Sequence, residues 1–170
     1  LSGTHRWEIG AKNSSTTFDG VISGGNLYKT GSGIFTLTNE NTYTGGTIVD
    51  KGRLSITNVA GSGTGTGTVS VQNGGSLNGT GTIAGKVVVN SGGRLFGGYT
   101  TVGESLTVKN DVEIKSGGSL LIRLHTIDEI TDCLVVDGTF IAGGNLNVVG
   151  VGGSYKVGQQ YKIINANKIT

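Results

Sequence analysis

The stretch Gly74-Gly75-Ser76-Leu77 decides the fold, because its pattern of two turn residues, one variable residue and leucine recurs along the chain. The other copies are Gly24-Gly25-Asn26-Leu27, Lys51-Gly52-Arg53-Leu54, Gly92-Gly93-Arg94-Leu95, Gly117-Gly118-Ser119-Leu120 and Gly143-Gly144-Asn145-Leu146. Successive leucines lie 27, 23, 18, 25 and 26 residues apart. A period in this range indicates stacked repeats in which each unit contacts its neighbours.

Short strands with apolar residues at alternate positions surround each copy of this pattern. They are Thr47-Ile48-Val49, Leu54-Ser55-Ile56, Thr68–Val71, Val87–Val89, Leu106–Val108 and Val112–Ile114. Such strands also suit a sandwich or a barrel. A leucine that returns at the same point of each unit favours coils stacked in parallel, about 4.8 Å apart. The sequence therefore predicts an all-β fold, a right-handed parallel β-helix (solenoid) of about seven coils.

Composition fits a single solenoid domain and excludes several function classes. The 170 residues include 33 Gly and no Pro, and 35% are hydrophobic, which suffices for a narrow stacked interior. The 13 Lys and Arg are scattered, so we expect no nucleic-acid partner. No apolar run approaches the length of a membrane-spanning helix, so we expect the chain not to span a membrane. The single cysteine, Cys133, lies in an apolar run and is predicted to be a small buried hydrophobe.

We predict one domain with three parts. Residues 1–19 carry no clear repeat and form an irregular or truncated first coil, and residues 20–124 form the regular coils. Residues 125–170 form a C-terminal cap with antiparallel hairpins at Asp137-Gly138 and Gly143-Gly144, because an open solenoid end would be an exposed sheet edge. The chain begins without Met or a signal peptide, so we expect it to be a piece of a longer protein.

Two regions carry a family resemblance. The first comprises Gly25–Gly33, Thr36-Leu37-Thr38, the stretch Asn41-Thr42-Tyr43-Thr44-Gly45-Gly46-Thr47, and Gly52-Arg53-Leu54. The second comprises Asp132–Gly138, Gly144–Val148 and Gly158–Ile164. The first resembles the passenger-associated repeat of bacterial autotransporters, and the second resembles the membrane-proximal end of such passengers.

The resemblance implies a secreted β-helical passenger whose C-terminal end folds first outside the cell and templates the coils above it. The implied partners are the protein's own upstream passenger and a downstream translocator barrel, and the location is the bacterial cell surface. Asp132 matches a position in the family's cap pattern, where it bonds to backbone. The predicted structural positions of repeat and cap are Gly25, Leu27, Tyr43, Gly45, Gly46, Leu54, Leu77, Leu95, Leu120, Asp132 and Leu146.

Two stretches invite a catalytic or binding interpretation. The run Gly61–Gly67 has the glycine content of a phosphate loop but lacks the Lys-Ser/Thr pair and the following helix, so we interpret it as an inter-coil turn. The run His125–Asp132 is the densest group of ionisable residues and could hold calcium or a sugar. It lies in a connecting segment, which favours a surface loop. We therefore predict no catalytic residue, cofactor or metal.

Basic and aromatic side chains are the remaining candidates for binding. Basic residues recur near strand ends, at Lys51, Arg53, Lys86, Arg94, Lys109, Lys115 and Arg123. On one face of the rod they could bind anionic glycans or lipopolysaccharide. Their more ordinary role is to keep the protein soluble and to discourage pairing between sheet edges. Four aromatic side chains are expected to be packing or turn residues rather than platforms that stack on sugars, namely His5, Trp7, Tyr43 and Tyr99.

The sequence thus predicts a non-catalytic structural stalk with a folding-nucleus role, which displays an upstream functional region. The alternative is an adhesin module that binds a host glycan or matrix protein along the face of the rod. A polysaccharide lyase is the weakest alternative, because no predicted strand presents two outward carboxylates.

Overall fold

The fold is described from a computed structural model, which covers residues 5–99, 101–125, 131–152 and 158–170. These residues form strands and turns and contain no helix. The strands are β1 Arg6–Ile9, β2 Thr16–Phe18, β3 Asn26–Lys29, β4 Ile34–Leu37, β5 Thr47–Val49, β6 Gly52–Ile56, β7 Val69–Val71, β8 Gly75–Gly79, β9 Thr82–Ile83, β10 Val87–Val89, β11 Arg94–Phe96, β12 Ser105–Val108, β13 Val112–Ile114, β14 Ser119–His125, β15 Cys133–Ala142, β16 Asn145–Val151 and β17 Ile164–Ile169. In the part of the chain so described, no helix is long and apolar enough to cross a membrane.

The strands stack in parallel columns, so successive turns of the chain lie on top of one another. One sheet runs β1-β3-β5-β7-β10-β13-β15-β12-β9, with β17 beside β15, and the other runs β2-β4-β6-β8-β11-β14-β16. Every pairing between these strands is parallel. The long strand β15 joins two columns, because its first half pairs with β12 and its second half with β13. The predicted all-β parallel solenoid is confirmed.

A ladder of leucines fills one side of the interior. Leu54 pairs with Leu77, Leu77 with Leu95, and Leu95 with Leu120. The exposed fraction of each of these four side chains is 1% or less. Because each leucine is covered by the coils above and below, its whole side chain leaves water, which stabilises each coil by about 2 kcal/mol. The ladder ends at Leu146, which remains 49% exposed.

The prediction that Leu27 belongs to this leucine ladder is wrong. Phe35 of β4 pairs with Leu54, whereas Leu27 of β3 lies in the other sheet between Trp7 and Thr47. The reason is that Gly24-Gly25 precedes β3, at a different corner of the coil from the later Gly-Gly pairs. The corner between β3 and β4 is instead formed around Gly31, which has a φ of 67°.

The predicted antiparallel hairpins of the C-terminal cap are not confirmed. Asp137-Gly138 lies inside β15, where the register against β17 shifts between Val136 and Thr139. Gly143-Gly144 connects β15 to β16, which belong to different sheets, and β16 stacks on β14 in parallel. The parallel stack continues into β16, where Leu146 lies beside Leu120 and Val148 lies beside Ile122. Among the described residues, antiparallel pairing occurs as an isolated bridge between Leu124 and Thr131.

The N-terminal stretch, predicted to be irregular or a truncated coil, contains two strands of the stack. In residues 5–19, β1 pairs with β3 and β2 pairs with β4. The division of the chain at residues 19 and 124 stays a prediction.

Candidate functional site

The corner between the two sheets is a stack of identical β-turns. The N–H of Gly75 donates to Gln72 O, that of Gly93 to Asn90 O, and that of Gly118 to Lys115 O, at 2.9, 2.9 and 2.8 Å. The third residue of each turn is a glycine with a φ of 87°, 76° or 78° (Gly74, Gly92 and Gly117). The second residues, Asn73, Ser91 and Ser116, do not have a positive φ, so these are type II turns, whose third position glycine adopts without strain. This geometry explains why Gly recurs in the repeat.

The Asn41–Thr47 stretch, the most specific part of the predicted repeat, ties three coils together through Asn41. The Asn41 Oδ1 atom accepts the N–H of Ile22 at 2.7 Å, and Nδ2 donates to Gly63 O at 2.7 Å. The side chain is 3% exposed. Since a buried amide without partners is costly, these bonds make asparagine the residue that this position requires.

The rest of this stretch packs and turns the chain. Tyr43 is fully buried and shares a 2.6 Å hydrogen bond with Thr47 Oγ1, and burial raises the pKa of Tyr43. Gly45 donates its N–H to Gly25 O at 2.9 Å, and a Cβ on Gly45 would lie 2.5 Å from that oxygen. Gly46 has a φ of 86° and accepts the N–H of Leu27. Residues 41–46 therefore form a compact connection that leads into β5 and is not itself a strand.

Lys29 is the residue that the sequence interpretation missed. It is 1% exposed and stands in an inward column between Ile9 and Val49. Its Nζ donates to the carbonyl oxygens of Thr30, Gly31 and Lys51 at 2.6, 2.9 and 3.1 Å, so one ammonium joins the corners of two successive coils. Desolvation by burial lowers the pKa of Lys29. The spacing from Leu27 could have revealed that Lys29 faces inward, because residues two positions apart in a strand point to the same face.

Asp132 forms a buried ion pair at the C-terminal end. Its side chain is 1% exposed, and its Oδ2 atom accepts Arg123 Nε at 2.6 Å. Its Oδ1 atom accepts the N–H of Gly103 at 3.2 Å, so the carboxylate holds strand β14 and the loop before β12 together. In the same loop, Glu104 accepts the N–H of Tyr99 at 2.8 Å. Of the predicted acidic stretch, residues 126–130 lie outside the described part of the chain.

The seven basic residues do not form one free ladder. Lys86 pairs with Glu113 at 2.8 Å, Lys109 pairs with Asp137 at 2.9 Å, and Arg123 pairs with Asp132. Arg53 and Arg94 share a column in which Ser76 lies between them, and the Arg53 guanidinium lies over the Phe96 ring. Lys51 and Lys115 are exposed at corners.

The other predicted candidates take packing or turn positions. Trp7 is 41% exposed, stands 5.5 Å from the ring of His5, and donates Nε1–H to Gly24 O. Cys133 is half-buried, and burial raises the pKa of its thiol. In the Gly61–Gly67 run, Ser62 Oγ donates to Gly65 O at 2.6 Å and accepts the N–H of Ala84 at 2.9 Å. No group of three His, Cys, Asp or Glu within the described ranges could hold a metal ion.

The fold defines a class of protein, the parallel β-solenoid, here with a glycine corner that recurs in successive coils and one buried Asn-Tyr loop. Residues 27–56, from the second residue of β3 to the end of β6, match the family model described as passenger-associated-transport-repeat. The chain is also 39% identical over 77 residues to the adhesin BmaC autotransporter of Brucella suis biovar 1. That segment is 45% of this chain and 2% of the relative, so the chain spans a small part of the protein that it matches.

The two matches confirm the resemblance to bacterial autotransporter passengers. They also support the predicted location, which is secretion to the cell surface, and a role as a surface passenger.

Proposed function

We propose that this chain is a non-catalytic stalk segment of a secreted, cell-surface autotransporter-like protein, and that it displays an upstream functional region. The observation that carries the proposal is the unbroken stack of parallel strands from β1 to β17. Coils that contact their neighbours in this way form a stiff spacer, because each added coil extends the rod and buries the one before it. The upstream passenger and a downstream translocator barrel are its partners in this proposal.

The C-terminal coils act as the folding nucleus of the stalk. Support comes from strand length, since β14, β15 and β16 have 7, 10 and 7 residues, whereas β3 to β13 have two to five. The buried Arg123–Asp132 pair adds a second support, because it joins β14 to the chain just before β15. In a solenoid, folding spreads from the most stable coils to their neighbours. If folding occurs outside the outer membrane, each added coil also opposes backward movement of the chain.

Two deletions test the nucleus. Removal of residues 106–170 should leave the upstream coils unfolded and sensitive to protease, whereas removal of residues 1–56 should leave the remaining coils folded. Hydrogen exchange and limited proteolysis on both variants provide the readouts. Protease resistance in the variant that lacks residues 106–170 would contradict the proposal.

An adhesive role is the second candidate, and the observation that favours it is the similarity to a relative named as an adhesin. In this role, the face of the rod holds a glycan or a matrix protein of the host. Saturable binding of the chain to an array of glycans and matrix proteins at physiological salt would support it. Absence of such binding would leave the stalk role alone.

A further inference from the structure

Strand β16 leaves one sheet edge open at the C-terminal end of the solenoid. It is the last strand of its sheet and pairs with β14 in register over seven residues, from Asn145 to Val151. All seven residues of β16 are exposed, whereas every second residue of β14 is buried. The other edge of β16 therefore presents backbone N–H and C=O groups with which no strand of the described part of the chain pairs.

The inward column of apolar side chains also ends at β16 without a cover. Leu146 lies beside Leu120, and the exposed fraction rises from 1% at Leu120 to 49% at Leu146. Val148 lies beside Ile122, and here the exposed fraction rises from 0% to 45%. One further strand in the same register would bury Leu146 and Val148 as β16 buries the two residues before them.

An apolar cavity opens beside this edge. Its volume is about 150 Å³, and both sheets line it, with Leu120 and Leu146 on one side and Phe140, Ile164 and Ile169 on the other. Among the described residues that line the cavity, none is charged. A cavity of this size and lining favours an apolar group over water. An apolar side chain from a further strand is therefore the group that suits it.

The sequence of β16 does not protect its edge. Edge strands are commonly blunted by charged residues, proline or bulges, which prevent pairing with another chain. The strand Asn145–Val151 contains neither a charged residue nor proline, and its register against β14 is unbroken. By contrast, β1 at an edge of the other sheet carries Arg6 and Glu8, which form an ion pair at 3.4 Å. Strand β16 therefore keeps an edge that can accept a further strand.

We propose that β16 binds an extended polypeptide segment of a partner protein, which has apolar residues at alternate positions and adds to the sheet as one more parallel strand. The segment's backbone pairs with β16, and its apolar side chains cover Leu146 and Val148 and enter the cavity. The parallel direction continues that of β14 and β16. In this mode of recognition, main-chain hydrogen bonds provide affinity and alternate side chains provide specificity. The site goes beyond the stalk role and does not depend on it.

The test is fluorescence anisotropy of a labelled peptide titrated with the full chain. The peptide copies residues 118–125, because β14 has apolar residues at alternate positions and fits β16 in this register. Saturable binding is expected, and a peptide of the same composition without the alternation should not bind. Of two versions N-methylated at alternate residues, one should bind and the other should not, because the amides on one side of an added strand pair with β16.

Two neighbouring valines provide matched substitutions. Val148 faces the interior and Val149 faces outward beside Arg123, although their exposed fractions are 45% and 44%. Val148→Glu should weaken binding at least about tenfold, because the added strand would bury an unpaired carboxylate. Val149→Glu should change binding less than about twofold, because its side chain stays in water. Circular dichroism checks that both variants fold, and the N-methylated peptides test the same edge on the parent chain.

Four results would overturn the proposal. The first is the absence of saturable binding of the alternating peptide, and the second is equal binding of the peptide without alternation. The third is equal weakening by Val148→Glu and Val149→Glu, which would indicate a non-specific apolar surface. The fourth is self-association of the chain that Val148→Glu abolishes, because a second copy would then occupy this edge.

Discussion

Replacement of Lys29 by methionine tests whether its buried ammonium holds two coils together. Methionine is likewise unbranched but one atom shorter, and the substitution removes three hydrogen bonds, to Thr30, Gly31 and Lys51. These bonds are part-buried, so each carbonyl that loses its donor costs at most about 1–3 kcal/mol, and the gross loss is at most about 3–9 kcal/mol. Relief from the desolvation of a buried ammonium offsets several kcal/mol of this loss. We expect the free energy of unfolding to fall by about 2–4 kcal/mol.

Urea unfolding followed by circular dichroism measures this change. The matched control is Lys51→Met, which alters an exposed lysine and should change stability by less than about 0.5 kcal/mol. A Lys29→Met variant as stable as the parent would refute the reasoning, since a hydrophobic replacement would then serve equally well.

The lowered pKa of Lys29 also gives a pH dependence. Between its folded-state pKa and the ordinary value of 10.5, the unfolded chain binds more protons than the folded one. The free energy of unfolding of the parent relative to Lys29→Met should therefore rise with pH through this window and level off above it. A fall in that difference as pH rises would show that the sign is wrong.

Three further predictions test other parts of the account. Gly92→Ala should lower the melting temperature more than Gly24→Ala. Both glycines have a positive φ, but a Cβ on Gly92 would meet the Asn73 side chain, whereas one on Gly24 would meet nothing within 4 Å. Equal melting temperatures of the two variants would contradict this prediction. Asp132→Ala should destabilise the chain by about 3–5 kcal/mol, because it leaves Arg123 without its buried partner; chemical unfolding checks the value, and a loss within 1 kcal/mol would count against the ion pair. Leu120→Ala should lower the free energy of unfolding by about 3 kcal/mol and Leu146→Ala by about half as much, because Leu120 is 1% exposed and Leu146 is 49% exposed. A larger loss for Leu146→Ala would contradict the stabilising role of the buried leucine ladder.

The strands and their parallel stacking could be predicted from the sequence because local alternation and the repeat agree. Val87-Val88-Val89 is β10, and Val112-Glu113-Ile114 is β13 beside it. Each strand buries one face, and the repeat returns that face to the same side. The glycine corner was also visible in the sequence, although its type II geometry was not.

The place of Leu27 in the coil and the pairing around Asp137-Gly138 could not be predicted, because the sequence does not show which corner of a coil a glycine turn occupies. Gly24-Gly25 and Gly74-Gly75 look alike in sequence but lie at different corners, so Leu27 was placed in the ladder that begins with Phe35. Asp137-Gly138 suggested a hairpin, yet in a parallel stack it lies where the register of β15 shifts.

The central claim, a stalk that folds from its C-terminal coils, is tested most directly by pulsed hydrogen exchange during refolding of the full chain. The account predicts that amides of β14–β16 become protected first and that protection then spreads through β11 and β8 toward β2. Earlier protection of β3–β6 than of β14–β16 would contradict it.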